Sequence, residues 1–357
     1  MLLSTVAVGG VVIAGGSILI RRRISKNWIT RSILFNKRLT KEQGTIIITG
    51  GNNGLGYAAA QILAEFGGKI LLACRDIDAG ERAALAIRSA TGNADVRCAL
   101  LDLSSLESVR TFASALTLKN ERMFALVCNA GVWIPSDGKQ QQTKTQDGYE
   151  IHFGVNHLGH FALIQSLVPQ LVRSNTMDHT RIVIVSSSLC KSGKIDLTKR
   201  DFIYNAREKT VEESKSFAPP AYCDSKLINL LTCRELAVRL KGTNVTTYAV
   251  SPGFCRSQLG RNVKFPFFKK MLAVPMMRLV QRTPEQGALN IVHAVMGDKD
   301  AMESGAMYQD GKIWDDGVTL VKTLDASLQK GVWDISEELL KANPHWVTKP
   351  VGKSRTC

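Results

Sequence analysis

An α/β fold is predicted for this chain, with a doubly wound, mostly parallel sheet of seven strands and helices on both faces. Three observations predict it. Short apolar runs rich in β-branched residues alternate with helical stretches from Thr45 to about Tyr308. The first run, Thr45-Ile-Ile-Ile48, passes directly into Thr49-Gly-Gly-Asn-Asn-Gly-Leu-Gly56, where glycines let the backbone turn sharply and approach a phosphate without a Cβ in the way. Residues 55–66 then have helical composition, so free N–H groups at the helix start would face that phosphate. Strand, glycine turn and helix together predict a Rossmann-type nucleotide site. Its candidate contacts are Gly50, Gly51, Asn52, Asn53, Gly54, Leu55 and Gly56.

The remaining elements come in order along the chain. Residues 69–74 read as the second strand, 96–101 as the third, 124–128 as the fourth, 181–185 as the fifth and 245–250 as the sixth, with 306–308 a candidate seventh. Helices are expected near 80–89, over 104–116 behind a serine cap, over 154–171 and over 222–240. Thr283-Pro-Glu-Gln286 combines an N-cap, a proline at the first helical position and a capping-box glutamine, so another helix starts there. Residues 191–220 form a long polar insertion of the kind that serves as a lid.

Charge is unevenly placed. The chain of 357 residues carries a formal net charge of +15, yet Met1 to Ile20 has no charged side chain. Arg21, Arg22, Arg23, Lys26, Arg31, Lys37, Arg38 and Lys41 come next, before the first acid, Glu42. About twenty apolar residues at ~1.5 Å each match a ~30 Å hydrocarbon core, and basic residues after the run place the rest of the chain in the cytosol. The expected organisation is an anchor over 1–20, a basic connector over 21–43, one catalytic domain over 44–343 and a tail over 344–357. A mitochondrial address is the rival, although it would intersperse its basic residues. A second basic stretch, from Leu236 to Pro284, holds no acid but includes Phe265-Pro-Phe-Phe268 and Met271-Leu-Ala-Val-Pro-Met-Met277. That mixture suits an anionic lipid surface or a charged face around a substrate lid (254–283) better than a nucleic-acid duplex.

The eight cysteines lack C-x-x-C spacing and read as small core residues in a reducing compartment. His157 and His160 have no third ligand nearby, so no metal is expected. Asn244-Val-Thr246 matches a glycosylation acceptor, but it opens the sixth strand, and a cytosolic domain would leave it unmodified.

Tyr222-Cys-Asp-Ser-Lys226 places a phenol and an ammonium four residues apart on one helix face. A phenol titrating near 10 is a poor acid or base at neutral pH, and a cation one turn away favours the phenolate. Arg181-Ile-Val-Ile-Val-Ser-Ser-Ser188 ends a strand in hydroxyls at the carboxyl edge of the sheet, where ligands of open α/β sheets bind. Asn129-Ala-Gly131 closes the fourth strand, and Asn156 lies within Gly154-Val-Asn-His-Leu-Gly159.

With the glycine turn, these motifs stand in the order shown by the short-chain dehydrogenase/reductases, and the chain resembles their microsomal retinol dehydrogenase group. The resemblance runs over about 44–343 and is carried further by Ala73-Cys-Arg-Asp76, Leu101-Asp-Leu-Ser104, Gly148-Tyr-Glu-Ile-His152, Glu235-Leu-Ala-Val-Arg-Leu-Lys-Gly242 and Val245-Thr-Thr-Tyr-Ala-Val-Ser-Pro-Gly253. It implies Tyr222 as acid in carbonyl reduction and base in alcohol oxidation. Ser187 would bind the substrate oxygen, with Ser186 and Ser188 as open alternatives. Lys226 would tune the tyrosine and bind the nicotinamide ribose, and Asn156 would hold a relay water. Asp102, Asn129, Gly253 and Ser257 would complete the cofactor site.

Cys74 is neutral and Arg75 follows it at the end of the second strand, which favours a 2′-phosphate and hence NADP(H). The expected activity is interconversion of a lipophilic alcohol and its aldehyde or ketone, retinal and retinol first. Another lipid carbonyl and a non-catalytic nucleotide-binding membrane module are the rivals. The partners implied are a lipophilic small molecule, the bilayer and a second copy in a homodimer, with no nucleic acid. The implied location is the endoplasmic reticulum membrane.

Overall fold

The computed structural model describes residues 28–34, 37–134, 144–173, 179–205, 218–256, 280–314 and 325–346. The expected anchor over 1–20, Ser257 and the apolar stretch around Phe265 to Met277 lie outside the described residues. Among those described, no helix is long and apolar enough to cross a membrane.

Strands β1 (Thr45–Thr49), β2 (Lys69–Cys74), β3 (Val96–Leu100), β4 (Met123–Cys128), β5 (Thr180–Val185), β6 (Val245–Val250) and β7 (Met307–Gln309) pair in parallel in the order β3-β2-β1-β4-β5-β6-β7. The order reverses between β1 and β4, which opens a crevice at their carboxyl ends. A short eighth strand, β8 (Lys312–Ile313), turns back antiparallel to β7 and extends the seven expected strands. Every residue of β1, β4 and β5 is buried, as their unbroken apolar runs require when helices cover both faces.

On one face pack α1 (Gly54–Glu65), α2 (Ile77–Thr91) and α6 (Pro284–Met296); on the other lie α3 (Leu106–Leu118), α4 (Gly159–Arg173), α5 (Pro220–Arg239) and α7 (Ala326–Ala342). Ile46 and Ile48 point into the first layer and Ile47 into the second, all at most 1 % exposed. Burying each contributes roughly 1.5–3 kcal/mol. Helix α7 was not expected from the sequence. Its Trp333 sits edge-on to Phe161 at 4.8 Å and beneath the Arg239 guanidinium at 4.3 Å.

The connector folds back onto the domain. Lys37 Nζ donates to the Met296 carbonyl (2.6 Å), satisfying the carboxyl end of α6. Trp28 lies under the Arg282 guanidinium (4.7 Å), which pairs bidentately with Asp310 at 2.6 and 2.7 Å.

Candidate active site

The glycine turn is built as its spacing requires. Gly50 and Gly54 have φ of +64° and +56°, in the left-handed region. A Cβ on Gly56 would lie 2.5 Å from the Gly50 carbonyl oxygen and from Asn129 Nδ2, so this glycine allows the helix to close on the strand end. Asn53, the N-cap of α1, makes no side-chain capping bond, and the first turn holds no acid. A Cβ on Gly54 would meet nothing within 4 Å, so the space beside the turn is open there. This cradle fits the phosphates of a dinucleotide.

At the end of β2, Cys74 is buried and Arg75 is exposed. The Asp76 carboxylate accepts from Ala79 N (2.9 Å) through Oδ1 as the cap of α2. Asp102 Oδ1 accepts from the backbone and hydroxyl of Ser104 at 2.9 and 2.8 Å and organises its own turn. Asn129 donates from Nδ2 to the Thr49 carbonyl (2.8 Å), tying the ends of β1 and β4 together. Gly253 has φ of +75° and packs against Arg282.

Helix α5 starts at Pro220, two residues before Tyr222. The Tyr222 phenol is hydrogen-bonded to Ser187. Ser187 comes after β5 and caps a short 3₁₀ turn, its Oγ accepting from Leu189 N at 3.2 Å. Ser186 is committed elsewhere, donating to the Lys226 carbonyl at 2.7 Å, and Ser188 opens the 3₁₀ turn. The geometry therefore brings Ser187, of the three serines, to the tyrosine. Lys226 Nζ lies 5.6 Å from the Tyr222 ring centre and donates to the Val185 carbonyl (2.9 Å).

Electrostatics differ from the expectation of a phenolate favoured by its lysine. Burial pushes the phenol's pKa up, the Cys223 thiol adds to this, and only the Ser187 bond opposes it. Burial also lowers Lys226 to about 8. Desolvation disfavours both charges, so Tyr222 keeps its proton at neutral pH while the lysine titrates close to it. A protonated phenol beside a hydroxyl can donate to a carbonyl oxygen.

Asn156 lies within a π-helical turn, Phe153–Leu158, where a single long α-helix was expected. Its Oδ1 accepts from Val132 N (2.7 Å), and its Nδ2 donates to the Val132 carbonyl (3.2 Å) and to Ser225 Oγ (3.0 Å). The residue thus pins the loop after β4 to helix α5, and that loop carries Trp133. Trp133 and His152 stand edge-on to Tyr222 with ring centres at 6.4 and 6.3 Å. His152 Nε2 accepts from Ile134 N (3.0 Å), so its Nδ1 carries the proton and donates to Glu150 Oε1 (2.7 Å). Sequence reasoning singled out none of Trp133, Glu150 and His152. Their only signal was the Glu-x-His spacing inside the stretch that carries the family resemblance.

His157 and His160 do not converge on a metal. His157 Nε2 meets Ser336 Oγ (2.8 Å), while His160 Nε2 meets Thr49 Oγ1 (2.8 Å). Among the described residues no group of three or more metal-ligating side chains assembles.

The profile of the family described as short chain dehydrogenase matches residues 44–199. Retinol dehydrogenase 11 of Homo sapiens is 36% identical over 298 residues, covering 83% of this chain and 85% of that protein. Retinol dehydrogenase 14 of Mus musculus is 38% identical over 312 residues, again with 83% and 85% covered. Among solved structures, an uncharacterized protein from Mycobacterium Paratuberculosis superposes with a TM-score of 0.62 at 28% identity, covering 86% of this chain and 96% of that one. The Pseudomonas aeruginosa RhlG/NADP active-site complex shares the fold at a TM-score of 0.58 and 24% identity, covering 77% and 96%. With this identity over most of both chains, the protein belongs to the short-chain dehydrogenase family of oxidoreductases, with retinol dehydrogenases among its relatives.

Proposed function

We propose that the chain is a membrane-anchored, NADP(H)-dependent oxidoreductase that interconverts a lipophilic alcohol and its aldehyde or ketone, retinal and retinol first. One observation carries this reading: the buried Tyr222 phenol, bonded to Ser187 and one turn from Lys226, sits against an aromatic wall of Trp133 and His152. Such a wall suits an apolar chain ending in one oxygen. Residues 50–56 and the start of α1 would hold the pyrophosphate, Arg75 the 2′-phosphate, and Lys226 the nicotinamide ribose. When bound, the nicotinamide supplies or accepts the hydride.

The chain's own work is alignment and proton handling. In reduction, Tyr222 holds a proton at Oη and releases it to the substrate oxygen, which Ser187 Oγ positions. Lys226 lies close enough to neutrality in pKa to restore that proton, and Asn156 braces the loop and helix between which it passes. In oxidation the same groups run in reverse.

The test is incubation of detergent-solubilised protein with NADPH and a panel of retinals, steroids and lipid aldehydes, beside a Tyr222→Phe variant. Turnover is expected with at least one aldehyde of the panel. The variant should lose at least ~10²-fold in kcat while binding NADPH normally. A variant retaining most of the activity removes Tyr222 as the proton donor. No turnover with any panel member leaves the non-catalytic module standing.

A further inference from the structure

His160 is 3 % exposed and lies between the carboxyl end of β1 and the π-helical turn. Its Nδ1 is 3.1 Å from the Asn156 main-chain carbonyl oxygen, and its Nε2 is 2.8 Å from Thr49 Oγ1. A carbonyl oxygen only accepts, so Nδ1 carries the proton. Burial lowers the ring to about 4, and the facing Lys226 ammonium opposes a second positive charge, so at neutral pH Nε2 accepts from the threonine. The Thr49 hydroxyl in turn accepts from Asn129 N and Ala130 N, each at 2.9 Å. Its two lone pairs are then committed, and its one proton has two acceptors in reach, His160 Nε2 at 2.8 Å and the Val127 carbonyl at 3.3 Å, of which the shorter contact to the imidazole is favoured.

This matters because Asn156 lies in a π-helical turn, where the main chain departs from regular α-helical spacing. The Asn156 side chain is gripped by Val132 and Ser225, and its main chain by His160. We propose that Thr49 and His160 form a positioning couple for the proton-handling side of the site. His160 fixes the Asn156 main chain through its carbonyl, while the Asn156 side chain is bound to helix α5, which carries Lys226, through Ser225. Thr49 holds the other nitrogen of that ring and, through the Asn129-Ala130 amides, ties His160 to the strand end from which the glycine turn departs. The proposal rests on the catalytic reading of Tyr222, Lys226 and Asn156. It makes His160 a positioning residue, since it would touch neither substrate nor cofactor.

The experiment uses the full chain in detergent with NADPH and a lipophilic aldehyde turned over by the wild type. It compares His160→Leu, His160→Gln, Thr49→Val and Thr49→Ser. His160→Leu should lower kcat about tenfold or more and enlarge the solvent deuterium isotope effect, with KM and NADPH affinity within about threefold. His160→Gln, whose amide can repeat both bonds, should restore most of the rate, as should Thr49→Ser relative to Thr49→Val. Nitrogen-15 NMR of labelled histidine gives a readout apart from turnover. His160 should be the Nδ1–H tautomer and stay neutral to about pH 5, and Thr49→Val should shift its Nε2 resonance.

Wild-type kcat and isotope effect in His160→Leu, with only a lower Tm, would overturn the proposal and leave a packing role. An Nε2–H tautomer would overturn it even if His160→Leu failed to fold. A wild type inactive on every aldehyde, with the Nδ1–H tautomer in place, would instead locate the failure in the catalytic reading and take the couple's role with it.

Discussion

Lys226→Met should abolish turnover and yet stabilise the fold at neutral pH. Lys226 is 3 % exposed, and burial lowers its pKa from 10.5 to about 8. At pH 7 the ammonium is present in both folded and unfolded chains, and holding it in the fold costs roughly 3 kcal/mol. Methionine fills much of the same space without charge. Losing the bond to the Val185 carbonyl offsets about 1 kcal/mol, so the variant should gain roughly 2 kcal/mol at pH 7. The pH dependence gives the sharper measurement. Below the folded value of about 8 both states bind the proton, and the penalty is constant. Between 8 and 10.5 the unfolded chain binds more protons than the fold, so wild-type stability rises with pH relative to the variant. The advantage of Lys226→Met should therefore shrink by roughly 2 kcal/mol from pH 8 to pH 10. Urea unfolding of both proteins in one detergent, from pH 6.5 to 10, reads this difference while other titrations cancel. A difference that is flat with pH, or that grows with it, refutes the burial argument.

Three further outcomes are expected. Arg75→Ala should weaken NADPH binding roughly tenfold to a hundredfold more than NADH, because a charge-assisted phosphate contact contributes about 1.5–3 kcal/mol; equal losses would show that Arg75 does not read the 2′-phosphate. The full chain should stay in the membrane pellet through carbonate extraction, whereas a chain beginning at Lys41 should not, and protease added to intact microsomes should digest the catalytic domain. Protection from that protease, or a glycan on Asn244, would place the domain in the lumen. Arg282→Met should cost about 2 kcal/mol by leaving the half-buried Asp310 without its guanidinium, and Arg282→Met/Asp310→Asn should recover much of it in a urea melt; an additive double variant would mean that the pair is not coupled.

How much of the site was legible depends on what a linear sequence encodes. The glycine turn, the Tyr222–Lys226 spacing and the serines after β5 are local patterns whose geometry is set by backbone rules, and the structure places them where those rules put them. The π-helical turn is different. Gly154 and Gly159 flank Asn156, and a Cβ on either would lie 2.2 Å from Thr145 Cγ2 or 2.4 Å from the Leu103 carbonyl oxygen. Distant segments thus approach the turn closely on both sides of Asn156, and the 3.6-residue period of the stretch gives no sign of them. Helix α7, by contrast, was legible though not expected: Asp325 caps it, and Leu328, Val332, Ile335 and Leu339 recur at helical spacing. The electrostatic error has the same root as the missed turn. The spacing of Tyr222 and Lys226 predicts attraction between a phenolate and an ammonium, but the sign of the net shift depends on how much water each has lost. With both side chains buried, desolvation exceeds their mutual attraction, and the site holds a protonated acid beside an easily titrated lysine. That acid carries the proton which carbonyl reduction would consume, and since burial makes the phenol hold it more tightly, its release would have to be drawn by the negative charge developing on the substrate oxygen.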